Sequence, residues 1–155
     1  MTVNRFAAIL GMSAALSGCA TVRDAPPVAV TPSGRPEAIF EGKSPEQVSG
    51  MIASSCADRG HVVVTSSPNK VVCQGDMTAM QSALTQLLIG NSYSTPPALF
   101  FEFNLFAVGP NTRVQAREWV ETTMAFGQKR SEELNNRAQF NQTEQALLSL
   151  GGRAP

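Results

Sequence analysis

The fold is decided by residues 44–75, which read SPEQVSGMIASSCADRGHVVVTSSPNKVVCQG. The first four residues predict a helix start, because serine caps helices, proline suits the first helical position and Gln47 completes a capping-box spacing. Gly60 is a suitable stop. Between these signals, small and apolar side chains recur at helical spacing and form one face, namely Val48, Met51, Ile52, Ser55 and Cys56.

Two valine-rich runs follow the helix, 61–66 and 70–74, with the turn sequence Ser67-Pro68-Asn69-Lys70 between them. This pattern predicts a β-hairpin. If Ser67 faces Lys70, then Val64 faces Cys73. Because side chains alternate along a strand, one face of the hairpin would carry Val62, Val64, Val71 and Cys73 and would meet the helical stripe that holds Cys56.

A second helical stripe and a second hairpin are predicted further along the chain. The stripe consists of Met77, Met80, Leu84, Leu87 and Leu88, which we interpret as ordinary core side chains. Two long strands are expected at 98–108 and 113–125, with residues 109–112 as their turn. If Gly109 faces Thr112, the inner face holds Leu99, Phe101, Phe103, Leu105, Ala107, Val114, Ala116 and Val120.

Glu118 falls on that apolar face, opposite Phe103, which requires an edge position or a bulge that changes the register. The other face carries Phe100, Phe106 and Trp119 among charged residues such as Arg117. Exposed aromatic rings beside arginine are typical of partner-docking surfaces. The alternative is that the last helix or the segment Ile39–Phe40 covers these rings.

The chain ends with a polar, loosely ordered stretch at 128–136 and a helix from about Asn136 or Asn141 to Leu150. The resulting order is αββαββα, which predicts an α+β fold. Its simplest architecture has two layers, one antiparallel four-stranded sheet with helices on one face, in a single domain at 44–152.

A proline-rich tether is expected before this domain, at 19–43, because its four prolines favour extended backbone and few large apolar residues accompany them. Ile39 and Phe40 are the exception, and we expect them to dock onto the domain as a short strand or plug.

The first 18 residues have the features of a signal peptide. Arg5 precedes an apolar run of about a dozen residues, which is too short for a stable transmembrane helix. Leu16-Ser17-Gly18-Cys19 then resembles the lipobox of bacterial lipoproteins. The resemblance implies diacylglyceryl attachment to the Cys19 sulfur, cleavage before it by signal peptidase II, and acylation of the new amino group.

The same resemblance implies a location. In a bacterium with two membranes, Ala20 after the lipidated cysteine is similar to the signal for outer-membrane sorting, with the domain facing the periplasm. The domain layout also looks faintly like the small helix-plus-sheet domains of outer-membrane assembly lipoproteins. That second likeness concerns the fold alone and specifies no function.

Export affects how the two remaining cysteines are interpreted. Cys56 and Cys73 would reach an oxidising compartment, which favours a structural disulfide over two buried thiols. A metal site would need more ligands, and His61 is the single histidine.

No feature of the sequence indicates catalysis, a cofactor or a metal. The chain has 12 basic and 12 acidic residues and no basic stripe, so nucleic-acid binding is not expected. It contains no G-x-S-x-G elbow, phosphate loop or dinucleotide fingerprint. An enzyme would need a deep polar pocket that holds Glu118 with His61.

Two functions fit these observations. The first is a non-catalytic, lipid-anchored domain that docks onto an envelope protein complex for assembly, secretion or conjugation. The alternative is a lipoprotein that binds a small ligand or a cell-wall fragment in an apolar cleft between the phenylalanine-rich hairpin and the helices.

Overall fold

One antiparallel sheet with two helices on one face makes up residues 31–78 and 95–155, the part of the chain that the computed structural model describes. The prediction of an α+β fold with one antiparallel sheet is therefore confirmed. The elements in chain order are β1 (Glu37–Phe40), α1 (Pro45–Asp58), β2 (Val62–Ser67), β3 (Lys70–Gly75), β4 (Ala98–Val108), β5 (Asn111–Thr123), a 3₁₀ turn (Ala125–Gly127), β6 (Lys129–Glu133) and α2 (Arg137–Ser149).

The capping box at the start of α1 forms as predicted. The Ser44 hydroxyl accepts from the Gln47 amide, and the Gln47 side chain accepts from the Ser44 amide. The buried face of the helix consists of Val48, Ser49, Ile52 and Cys56. This face packs against β2, β3 and β4, so the helix start and the apolar spacing together fix how the first half of the domain folds.

The four predicted strands are all present, and two further strands extend the sheet. The strand order is β1-β5-β4-β3-β2, and β6 also pairs with β5. β1 pairs with residues 112–115 of β5 and β6 pairs with residues 119–123, so both lie along the edge of β5 that β4 leaves free. Residues 116–118 face the gap between them, and this gap borders the candidate site.

Of the two further strands, β1 agrees with the prediction from the sequence and β6 does not. The docking of Ile39 and Phe40 as a short strand is confirmed, and the Phe40 ring is fully buried in the core. The expectation of a loosely ordered stretch at 128–136 is wrong, because Lys129–Glu133 pairs with β5. All five residues of β6 are exposed, so no alternation of apolar and polar side chains marked it as a strand.

A β-bulge in the first hairpin changes which valines face the core. Ser67 faces Lys70 as predicted, but the register shifts between Val63 and Thr65, so that Cys73 faces Val63. Val63 consequently packs on the core, and the prediction that Val62 and Val64 face it is wrong. Their side chains are 64% and 53% exposed.

The second hairpin turns earlier than predicted, because Val108 pairs with Asn111 and Gly109–Pro110 forms the loop. The register therefore differs by two residues from the prediction, and Glu118 faces Phe101 instead of Phe103. Since side chains alternate with a period of two, this shift leaves every residue on its predicted face.

α2 begins after the cap Asn136, whose side chain accepts from the Gln139 amide, which confirms the earlier of the two expected starts. Leu147 of α2 enters the same core as α1. The stripe predicted at 77–88 lies largely outside the described residues.

The chain after α2 closes the outer edge of β1 and packs tightly against it. Ile39 and Arg153 exchange two backbone hydrogen bonds of 2.8 and 2.9 Å. A Cβ atom at Gly152 would lie 2.8 Å from the Ala38 Cβ and 2.9 Å from the Leu147 carbonyl oxygen.

We therefore expect Gly152→Ala to lower the free energy of unfolding by about 2 kcal/mol through overpacking. Gly50→Ala is the matched control, because a Cβ there meets nothing within 4 Å and alanine favours a helix interior over glycine by roughly 0.5–1 kcal/mol. Urea denaturation of both variants measures the difference. If Gly152→Ala and Gly50→Ala were equally stable, the atoms around Gly152 would have shifted to accommodate the added methyl group at no cost in free energy.

Candidate functional site

An aromatic pair lies on the face of the sheet opposite the helices, which we call the outer face. Phe100 and Trp119 are cross-strand neighbours, and their rings stack with centroids 5.2 Å apart and planes 10° from parallel. The Arg117 guanidinium lies 4.7 Å from the centroid of the Trp119 ring. The structure thus brings together three of the four residues predicted as a partner surface.

The fourth residue, Phe106, lies further along the same face and is 47% exposed. The alternative that the last helix or Ile39–Phe40 covers this face is wrong. Leu147 of α2 packs into the core on the opposite face, and Ile39–Phe40 extends the sheet as part of β1. Within residues 31–78 and 95–155, no helix packs over the aromatic pair.

The charged side chains of the outer face are largely paired with one another. Lys70 lies 3.2 Å from Glu102, Lys129 lies 2.8 Å from Glu121, and Arg35 lies 3.4 Å from Glu133. Burial opposes the ionisation of Glu102, but hydrogen bonds from Asn104 and Lys70 outweigh it and lower the pKa of this carboxyl. The apolar feature of this face is therefore the set of aromatic rings, of which Phe100 and Trp119 are half-buried and Phe106 is exposed.

Arg117 is less completely paired than its neighbours. Its Nε atom lies 3.8 Å from the Glu133 carboxylate, which is too long for a hydrogen bond. Among the described residues that buried Nε has no hydrogen-bond partner. The Nε atom itself is buried, whereas the Arg117 side chain as a whole is 35% exposed beside the Trp119 ring.

Glu37 forms a buried clamp that sequence reasoning missed. Its carboxylate accepts two hydrogen bonds from Arg113, of 2.9 and 2.8 Å, and one of 3.1 Å from Gln115. Burial opposes its ionisation, but the bonds from Arg113 and Ser33 prevail and lower the pKa. This clamp joins β1 to β5. Both carboxylate oxygens of Glu37 already accept hydrogen bonds, so we interpret the clamp as structural.

A cavity of about 220 Å³ lies on the helix side of the sheet, which we call the helix-side cavity. Its apolar wall includes Phe101 and Phe103 of β4, Ile52 of α1, and Leu147 and Leu150 at the end of α2. The apolar cleft expected between the phenylalanine-rich hairpin and the helices is thus present in the structure.

Glu118 places a carboxyl group in the wall of this cavity. The residue projects from β5 beside the gap between β1 and β6, where the Leu134 amide donates to its backbone carbonyl oxygen at 2.9 Å. Within the described part of the chain, its side chain makes no hydrogen bond or ion pair. Burial raises the pKa of this carboxyl to about 7.

His61, the residue before β2, lines the same cavity. Its imidazole stacks on the Phe101 ring with centroids 5.2 Å apart. Ser55 also contributes to the lining, yet among the described residues no hydrogen bond joins Ser55, His61 and Glu118. The arrangement contains a titratable carboxyl in apolar surroundings and no assembled pair of nucleophile and base.

A second cavity, of about 210 Å³, lies at the gap between β1 and β6. Glu118, Leu134, Gln139 and Thr143 border both cavities, whereas Arg35, Arg117 and Glu133 border the second alone. The two cavities are therefore neighbours that share Glu118 in their walls, and the second has more charged side chains than the first.

Comparisons with known proteins identify no relative of this chain: no family model, no curated protein and no solved structure matches it. In the described ranges, no three side chains of His, Cys, Asp or Glu cluster as metal ligands would. The helices described there are also too short or too polar to cross a bilayer.

The partly buried Glu118 carboxyl predicts how stability depends on pH. Because the pKa of Glu118 is about 7 in the folded chain and 4.5 as the ordinary value, the folded state retains a proton that the unfolded state has lost between these pH values. The free energy of unfolding should fall as pH rises through this window. We expect a loss of about 2 kcal/mol, after allowance for the partial exposure of the side chain.

Glu118→Gln should abolish this decline, and urea denaturation at pH 5 and pH 8 compares the two proteins. The lowered pKa of Glu37 acts below 4.5, outside the window. Parallel pH profiles for the variant and the parent would contradict the assignment.

Proposed function

We propose that the chain is a lipid-anchored envelope lipoprotein whose domain docks, without catalysis, onto a protein of the cell envelope through the outer face of its sheet. The observation that carries this proposal is the stacked Phe100–Trp119 pair with Arg117 beside it, on a face that the described helices leave open. The few residues that dominate the binding energy of protein interfaces are enriched in tryptophan, tyrosine and arginine.

The charge balance of the face favours a protein partner over a lipid surface. Attraction to anionic headgroups requires an excess of basic residues. Here basic side chains lie 2.8–3.4 Å from a carboxylate, namely those of Arg35, Lys70, Arg113 and Lys129. A complementary partner would offer an apolar groove for the rings and a carbonyl or carboxylate oxygen for Arg117.

The proposed anchor agrees with such a role. Residues 20–30 separate Cys19 from the described domain, and a segment of this length reaches at most roughly 40 Å when fully extended. A domain held on lipidated Cys19 would therefore remain near the membrane surface, which we propose to be the periplasmic side of the outer membrane. The partner is expected within that distance.

Site-specific photocrosslinking in intact envelopes tests the docking. A photoreactive amino acid at Phe106 in the full, lipidated chain should yield one discrete adduct. Trp119→Ala should weaken that adduct at least about tenfold, since hot-spot truncations cost roughly 2 kcal/mol or more. The matched control is the same probe at Val62, which is 64% exposed at the far edge of the sheet, in β2.

The result is interpretable only if the domain stays folded, so the thermal denaturation of Trp119→Ala is measured in parallel. The proposal fails if Phe106 and Val62 give the same adducts. It also fails if the folded Trp119→Ala variant retains the full yield.

A further inference from the structure

We propose that the helix-side cavity binds a small organic cation, a primary ammonium group on an apolar body of about six carbon atoms. The site is the Glu118 carboxyl among the rings of Phe101, Phe103 and His61. This binding is independent of docking through the outer face.

The carboxyl determines the polar end of the ligand. Buried charges in proteins are normally paired, and an unpaired one is costly. The Glu118 side chain has no ion pair or hydrogen bond among the described residues, and partial burial raises the pKa of its carboxyl to about 7 instead. A ligand ammonium would supply the missing partner, and the apolar body of the ligand would pack among the lining residues Phe101 and Phe103.

The walls and volume determine the rest of the ligand. A cavity of roughly 150 Å³ lined by apolar side chains is known to hold benzene. The helix-side cavity, at about 220 Å³, accommodates a body of this size with one additional polar group. A carboxylate ligand does not fit, because it would place a second acid beside Glu118.

The charged neighbours of Glu118 in the described part of the chain leave its carboxyl without an ion pair. Among the described lining residues, Glu118 is the one acid, and α2 contributes the neutral side chains of Gln139, Gln142 and Thr143. Arg59 and His61 lie at the α1–β2 junction, where Arg59 is exposed to solvent. On the other side of β5, Arg117 and Arg35 face the second cavity and lie near Glu133.

Isothermal titration calorimetry with n-hexylamine tests the site, using the full lipidated chain in nanodiscs of neutral lipid and empty nanodiscs as the blank. Hexylammonium should bind at least tenfold more tightly than n-hexanol or hexanoate at pH 8. Because Glu118 must lose its proton to pair, the affinity should fall about tenfold between pH 8 and pH 6.

Two variants complete the experiment. Glu118→Gln should lose at least tenfold in affinity for hexylammonium and should lose the pH dependence. Phe106→Ala, on the outer face, should bind as the parent does, so failure of docking and failure of ligand binding are distinguished. Three results would each overturn the proposal. The first is that hexanol binds as tightly as hexylammonium, and the second is that Glu118→Gln binds as tightly as the parent. The third is that no probe binds saturably, because the chain itself fills the cavity.

Discussion

Cys19→Ser is expected to release the chain from the membrane fraction into the soluble one. The resemblance of Leu16-Ser17-Gly18-Cys19 to a lipobox implies that this sulfur carries the diacylglyceryl group. Each buried methylene contributes about 0.8 kcal/mol, and one acyl chain alone binds reversibly, whereas two or more anchor stably. A serine hydroxyl cannot form the thioether, so the lipid anchor would be lost.

The measurement is fractionation of cells that express each variant, with intact-mass analysis of the purified chains. Ala20→Ser is the matched control, because it changes the adjacent small residue and keeps the sulfur. The parent should have a mass consistent with a lipidated chain that starts at Cys19. An unmodified chain that starts at Met1, or a serine variant that still fractionates with membranes, would show that Cys19 is not the anchor.

Local signals in the sequence predicted the elements of the fold better than their pairing. The capping box at Ser44 and the alternation in β5 depend on neighbouring residues, and both appear in the structure as expected. The bulge at Val64 does not follow from any local signal. Val62, Val63 and Val64 are equally apolar, so the pattern cannot tell which of them faces the core.

Strands that depend on a distant partner were the hardest to predict. β6 contains no apolar residue, and its position derives from backbone hydrogen bonds to β5. Glu37 lies in a proline-rich stretch, and its burial depends on Arg113, 76 residues away along the chain. Neither β6 nor Glu37 lies in a periodic pattern of apolar residues, because tertiary contacts supply the free energy that fixes their positions.

The candidate site was predicted in part. The alternation of side chains predicted that four residues share one face, namely Phe100, Phe106, Arg117 and Trp119. The predicted register was wrong by two residues, but a shift of two leaves each side chain on the same face. The same alternation drew attention to Glu118 as an acid on an apolar face. The gap between β1 and β6 beside this residue could not be foreseen, since it requires the extent of both strands.

Removal of the Cys56–Cys73 disulfide is expected to lower the free energy of unfolding by about 3 kcal/mol. The bond joins α1 to β3 across 17 residues, and the chain-entropy model gives roughly this value for a loop of that length. Both cysteines are buried in the core, at 6% and 0% exposure, so water has little access to the bond. The predicted pairing is present in the structure.

Urea denaturation of Cys56→Ala, Cys73→Ala and the double variant provides the measurement. Because each substitution breaks the same bond, the two single variants and the double variant should lose similar amounts, and their effects should not add. Dithiothreitol should lower the stability of the parent toward that of the double variant and leave the double variant unchanged. If the losses instead summed, the cysteines would contribute as separate core side chains, and the disulfide would not be what holds α1 against the sheet.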